Sequence, residues 1–381
     1  YSVCRDSAPA TVAELLADGY WYYDSTGTAV PESHVQSGTL AATAGYGTVT
    51  VKMLPIPVAA VTIGEGGSAV TTTYGYAEGG TYPTPADALA AAWTQANQAD
   101  SPATVTLLRH VTVTQSLNVL GDVTLEGGEY TLTYSGIFYP IEVESKGKFT
   151  LASGTIKASG GPNTHAIYGT SGTISITGGT VETTEKNGLG VYSNSCEVTI
   201  SGGSVIGGVS GILANGGTVT INGSASVSGA TSETTYGVQA ISGATVTIYG
   251  GTVTGSSRGV DAMNSTVHVH GGEMKGTGAV GTGMKTQDST VTVTNGTFIG
   301  GICGLNADGG TCKLSGGVYQ GGIYGVLNST SGAVKDLLDT TQDGKHFAYY
   351  KGNTVSAANL ITTGLDGTGL SGTVAVGECT H

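Results

Sequence analysis

The chain reads as an all-β solenoid of stacked parallel strands, on three grounds. Between Gly147 and Thr330 one pattern recurs eight times at intervals of 21 to 27 residues. The copies are GKFTLASGTIK, GTISITGGTVE, CEVTISGGSVI, GTVTINGSASV, ATVTIYGGTVT, TVHVHGGEMKG, TVTVTNGTFIG and GTCKLSGGVYQ. Within each copy apolar and polar residues alternate with the period of a strand. Finally, 65 glycines among 381 residues, only 11% charged residues and abundant Thr, Ser and Val favour short strands joined by tight corners. A fixed period of this length marks units that bury their apolar face only against neighbours of the same kind. Disorder is excluded, because a disordered glycine-rich chain has no reason to hold apolar residues in fixed columns.

Taken in order, the first element is a segment that returns at the other end. Thr11 to Val51 (TVAELLADGYWYYDSTGTAV, ending GTVTV) recurs as Ala333 to Val376 (AVKDLLDTTQDGKHFAYYKGNTV, ending GTVAV). Residues 1–55 are therefore expected to be the tail of a preceding module, and a second module follows as an N-terminal strand with a capping helix (56–104), a solenoid (105–332) and a capping tail (333–381). The one convincing helical pattern is Tyr82 to Gln98, with Thr84 as N-cap, Pro85 at the first helical position and Ala88, Leu89, Ala92 and Trp93 along one face. This helix is expected to cover the open end of the core, since bare apolar rungs and a free strand edge would pair with other chains.

The strands TVTLL, VTVTQSLNV, DVTLEGG, EYTLTYSG and FYPIEVE form the first, less regular rungs. In the repeats proper the inward pairs of the first strand are Phe149/Leu151, Ile174/Ile176, Val198/Ile200, Val219/Ile221, Val246/Ile248, Val267/Val269, Val291/Val293 and Cys312/Leu314. Stacked about 4.8 Å apart, they make one continuous core. From Val105 to Thr330 the rung length and Gly-corner pattern resemble the right-handed parallel β-helix group, the pectin-lyase-like superfold. The resemblance implies a right-handed coil and is silent on chemistry. The order of helix, VTLL, DVTL strand, Gly-rich coils and LL…G…YY tail is similar to repeat modules of very large cell-surface proteins of gut Gram-positive bacteria. That similarity implies extracellular display and adhesion, with a host glycoprotein, an immunoglobulin or a glycan as partner.

Charge narrows the partners. A net charge of −13 and no run of Lys or Arg argue against nucleic acid and anionic membrane. The longest apolar stretch, Val51 to Ile63, is broken by Lys52, Pro55 and Pro57 and is shorter than the about 20 residues a bilayer takes, so no membrane insertion is expected. The cysteines, Cys4, Cys196, Cys303, Cys312 and Cys379, are scattered without CxxC spacing, and no cofactor is expected. Cys312 falls in the column of Val198, Val219 and Val246 and reads as a small buried hydrophobe.

Candidate site residues come from the outward columns. The position after each Gly-apolar pair gives Tyr168, Tyr192, Leu213, Gln239, Asp261, Lys285, Asn306 and Leu327. Asp261, with Arg258 before it and Lys285 one rung on, is the candidate catalytic group, against the plainer reading of a solvated ion pair worth about 1 kcal/mol or less. Hydrolysis of a sugar chain takes two carboxylates roughly 5 to 10 Å apart, and this column shows one. His268 and His270 point to one face and are the candidate metal ligands, but Thr247, Tyr249, Thr292 and Thr294 around them supply no third. The Thr/Ser ladder beside them reads as strand propensity on an exposed sheet.

The loops between second and third strands vary most in length, and variable loops on one edge are where solenoids recognise ligands. They bring His165, Glu185, Lys186, Glu233, Tyr236 and Arg258 toward one rim beside Tyr168 and Tyr192. Tyrosines one rung apart offer a platform for sugar rings or a protein, against the alternative that tyrosine is simply a good strand residue. The favoured function is a non-catalytic, adhesin-like binding module. A carbohydrate-active enzyme (polysaccharide lyase or glycoside hydrolase) and a structural stalk are the alternatives.

Overall fold

The computed structural model describes residues 55–379 except 231–233, 331 and 343; before residue 55 it describes 4–5, 8–9, 20–23, 30, 35–36, 39–40 and 50–53. It is a parallel β-solenoid of about nine turns, with one α-helix among the described residues. Each turn supplies three strands, and each strand pairs in parallel with its equivalents in the turns before and after.

The expected register holds. Ile174 and Ile176 lie against Val198 and Ile200, which lie against Val219 and Ile221. These side chains are buried, as are the equivalent pairs from Phe149/Leu151 to Cys312/Leu314. Alternation is what makes this work: in Thr173–Ile176 the burial runs half-buried, buried, half-buried, buried, so a slip of one residue would turn every apolar side chain outward. Cys312 pairs with Val291 and is buried, and that burial pushes its thiol up to about 12, as befits an inert core residue.

The corners explain part of the glycine content. At Gly203 φ is +69°, and a Cβ there would lie 2.4 Å from the Gly179 carbonyl oxygen of the previous turn. Only glycine meets both demands. The other corner, ahead of the first strands, also turns through positive φ, at Lys146 (73°), Ser171 (58°), Ser195 (61°), Ser242 (57°), Asn264 (48°) and Asp288 (47°), while Gly216/Gly217 and Gly309/Gly310 serve the remaining turns. The repeat pattern alone assigns no special conformation to these positions.

The helix spans Pro85–Asn97, opened by a capping box in which Thr84 and Asp87 bond each other's backbone N–H. Ala88, Leu89, Ala92, Trp93 and Ala96 are buried, and the Trp93 ring lies 6.3 Å from that of Phe149. Before it, the antiparallel strands Ile56–Ile63 and Val70–Tyr76 extend the first sheet, Ile56–Ile63 also pairing with Ala103–Leu107.

At the C-terminal end, Thr373–Glu378 runs antiparallel to both Val318–Gly321 and Phe347–Lys351. The described strands of the two repeated tails pair alike. Tyr20–Tyr23 pairs antiparallel with Thr50–Met53, setting Tyr22 opposite Val51, just as Tyr349 sits opposite Val376. In each, a later backbone N–H returns to the inner tyrosine's carbonyl, Val30 to Tyr22 and Ile361 to Tyr349, both at 2.9 Å.

Candidate functional site

The outward column of the third strands begins two turns earlier than the repeats suggest, with Asn118 paired to Glu142. Glu142 pairs with Tyr168, Tyr168 with Tyr192, Tyr192 with Leu213, and the column continues through Gln239 to Asp261 and Lys285. Three residues ahead of each outward position the chain enters from the variable loop. That offset places Tyr139 before Glu142, His165 before Tyr168 and Leu189 before Tyr192.

Four rings meet there. Tyr168 and Tyr192 have centroids 5.2 Å apart, as their pairing requires. Tyr139 stacks on Tyr168 at 4.5 Å and 27°, and on His165 at 5.8 Å and 12°. His165 meets Tyr192 edge-on at 5.6 Å and 87°. Tyr168 therefore has a ring on each side along the solenoid axis, stacked against Tyr139 and tilted against Tyr192. Tyr139, Tyr168 and Tyr192 are each half-buried. Neighbours one turn apart are close enough to pack on each other, so part of the ring surface expected to form a platform is used within the cluster.

Electrostatics in the cluster are muted. His165 Nδ1 accepts a hydrogen bond from the Leu189 N–H at 3.1 Å, and burial holds its pKa below 6.5. Burial, then neighbouring Tyr168 and Glu142, raise the Tyr139 phenol. Burial and then Glu144 raise the Glu142 carboxyl above 4.5. Beside the rings, at the tip of the 135–140 loop, Ile137 and Phe138 are 70% and 59% exposed. The Phe138 N–H is held by the Tyr134 hydroxyl at 3.1 Å, and the Phe138 ring lies 6.2 Å from Tyr139.

The rest of the expected rim separates from this cluster. Tyr236 and Arg258 form their own unit, with the guanidinium 5.6 Å from the Tyr236 ring centroid and Nη1 bonded to Asp261 at 2.8 Å. Asp261 is three turns from Tyr192, about 14 Å along the axis. Glu185 is half-buried and Lys186 exposed, and neither enters an ion pair among the described residues. Glu233 lies outside the described residues.

The candidate catalytic group divides as well. Lys285 sits beside Asp261 in register, yet its ammonium lies 3.9 Å from Asp308, one turn further on. Glu142 adds a second carboxylate to the column, but five turns from Asp261, about 24 Å, where two-carboxylate hydrolysis cannot operate. His268 and His270 each bond a threonine hydroxyl of the next turn, Thr292 at 2.6 Å and Thr294 at 3.0 Å, while His270 stacks on Tyr249 at 5.0 Å. No group of three possible metal ligands occurs among the described residues.

Sequence reasoning missed Tyr139, Phe138 and Glu142. The pattern reads FYPIEVE as one strand, whereas Pro140 confines the strand to Ile141–Val143 and leaves Phe138 and Tyr139 in the loop. The signal that could have found them is the shared three-residue offset of Tyr139/Glu142 and His165/Tyr168. No protein-family model, curated protein or solved structure matches this chain.

Proposed function

We propose that this chain is a non-catalytic binding module of a secreted or surface-displayed bacterial protein. Its partner is a host glycoprotein, an immunoglobulin or a glycan, engaged at the ring cluster. The observation that carries the reading is the cluster itself: Tyr139, His165, Tyr168 and Tyr192 packed on a rigid parallel sheet, with Ile137 and Phe138 projecting beside them. Preorganised aromatics lose little conformational entropy on contact, and exposed apolar side chains over them make an anchor. A net charge of −13 and the absence, among the described residues, of any helix long and apolar enough to cross a membrane agree with that display. The matching registers of the two tails support residues 1–55 as a second copy of the module's closing tail.

The test is an array of mucins, immunoglobulins and glycans probed with the chain and with Phe138→Ala and Tyr168→Ser/Tyr192→Ser variants. Saturable binding weakened by about tenfold or more in the variants is expected. Undiminished binding by the variants removes the cluster as the site. A second reading, a carbohydrate-active enzyme, is favoured by Glu142 and Glu144 standing two apart beside the rings with the Glu142 carboxyl raised. Appearance of reducing ends or unsaturated products that vanish in Glu142→Gln would establish it instead.

A further inference from the structure

Among the described residues, the first sheet ends in a strand with nothing bonded on its outer side. Val70–Tyr76 pairs with Ile56–Ile63, Ile56–Ile63 with Ala103–Leu107, and Ala103–Leu107 in parallel with residues 123–126 of the solenoid. Among the described residues no strand, turn or side chain bonds the other backbone edge of Val70–Tyr76. Its sequence, VTTTYGY, contains no charge and no proline, the two devices that usually protect a free edge. The strand is also held in place. Tyr74 donates to Gln95 of the helix at 2.9 Å, and the Gln95 amide reaches Thr72 at 3.5 Å. Thr71 and Thr73 face solvent, and Val70 is 65% exposed.

We infer that this edge joins two copies of the chain by antiparallel pairing of Val70–Tyr76 with its own counterpart about a two-fold axis at Thr73. An acidic chain can meet itself closely only where it carries no charge, and this seven-residue edge is such a place. Centred on Thr73, the pairing sets Thr73 against Thr73, Thr72 against Tyr74, Thr71 against Gly75 and Val70 against Tyr76. All but Thr71 against Gly75 are β-branched or aromatic combinations that favour neighbouring strands. The flanking acids stay apart, with Glu78 opposite Ser68 and Glu65 opposite Thr81. The contact is isologous and closes at two, so the solenoids join end to end through one continuous sheet. A seam of one strand pair belongs to the weak, reversible class of interfaces. The inference is independent of the ring cluster, which lies on a different sheet.

Sedimentation of the full chain over rising concentration, with Thr73→Lys, Thr73→Glu and their equimolar mixture, tests it. The expected result is a reversible dimer for the parent chain and dimerisation weakened by about tenfold or more in each variant, because like charges then stand directly opposite. Recovery of a heterodimer is expected in the mixture. A parent chain that stays monomeric overturns the inference, as does a dimer indifferent to Thr73→Lys or a mixture that stays monomeric. Should either variant lose its fold, hydrogen exchange of the Val70–Tyr76 amides in the parent chain decides the question. Protection that grows with concentration supports the pairing, and concentration-independent exchange overturns it.

Discussion

The two ends of the solenoid solve one problem, three sheets that each end in an exposed strand, by different means. At the C-terminal end backbone covers backbone on all three. The Asp339 N–H bonds the Leu314 carbonyl of the first sheet at 2.9 Å, Thr373–Glu378 pairs with the last strand of the second, and Gly369–Leu370 pairs with that of the third. At the N-terminal end side chains do part of the covering. Trp93 Nε1 donates to the Asn118 carbonyl at 2.8 Å, the Asn97 amide donates to the same carbonyl at 2.7 Å, and Asn97 Oδ1 accepts from the Leu120 and Gly121 N–H groups. The first sheet there is extended by two strands, and the outer edge of the second has no partner among the described residues. One end thus closes every sheet with backbone, while the other keeps an edge able to pair.

The largest effects should come from breaking either closure. Trp93→Ala at one end and Tyr349→Ala at the other, where the buried Tyr349 hydroxyl donates to Val334 at 2.8 Å, are each expected to cost about 3–5 kcal/mol in urea unfolding. A cost below about 1 kcal/mol for Trp93→Ala would mean that the helix rests on the end without closing it. Asn97→Ala should be milder, about 1 kcal/mol, because water can replace the amide at partly exposed groups. Faster hydrogen exchange at Leu120 and Gly121, with the C-terminal amides unchanged, would locate the loss at one end.

Acid should act on the ring cluster with a definite sign. The His165 pKa is lower in the folded chain than its ordinary 6.5, so its contribution is complete above about pH 6.5 and is lost as pH falls through the folded value. Glu142 runs the opposite way, its contribution present below about pH 4.5 and lost as pH rises through its raised folded value. Unfolding measured between pH 7 and 5 should show stability falling in the parent chain and a flatter dependence in His165→Gln. The smallest effect belongs to the corners between the ends. Ser195→Gly relieves a left-handed backbone and should raise stability by up to about 1 kcal/mol, whereas loss of stability would show that the serine side chain holds the corner.

How far the site was legible follows from where each residue sits relative to the period. Tyr168, Tyr192 and Asp261 can be placed from sequence because each occupies a strand position, and in a stack of turns the neighbour of a strand residue is its equivalent one period away. Tyr139 and Phe138 are less legible: the three-residue offset before Glu142 marks where Tyr139 enters, but both sit in a loop whose length differs from turn to turn, and the stacking of Tyr139 on Tyr168 depends on a loop path that no period encodes. Lys285 shows the same limit within a strand: register sets it between Asp261 and Asn306, yet a long flexible side chain reaches Asp308.

By itself, then, the sequence determined the solenoid, its inward columns, the capped helix and the kinship of the two tails, all of which are local patterns or translations along the chain. Tertiary structure alone decided which rings meet, which charges pair and which strand edge is left without a neighbour. Those depend on contacts between segments that share no period, where side-chain reach and antiparallel pairing over long separations choose the outcome.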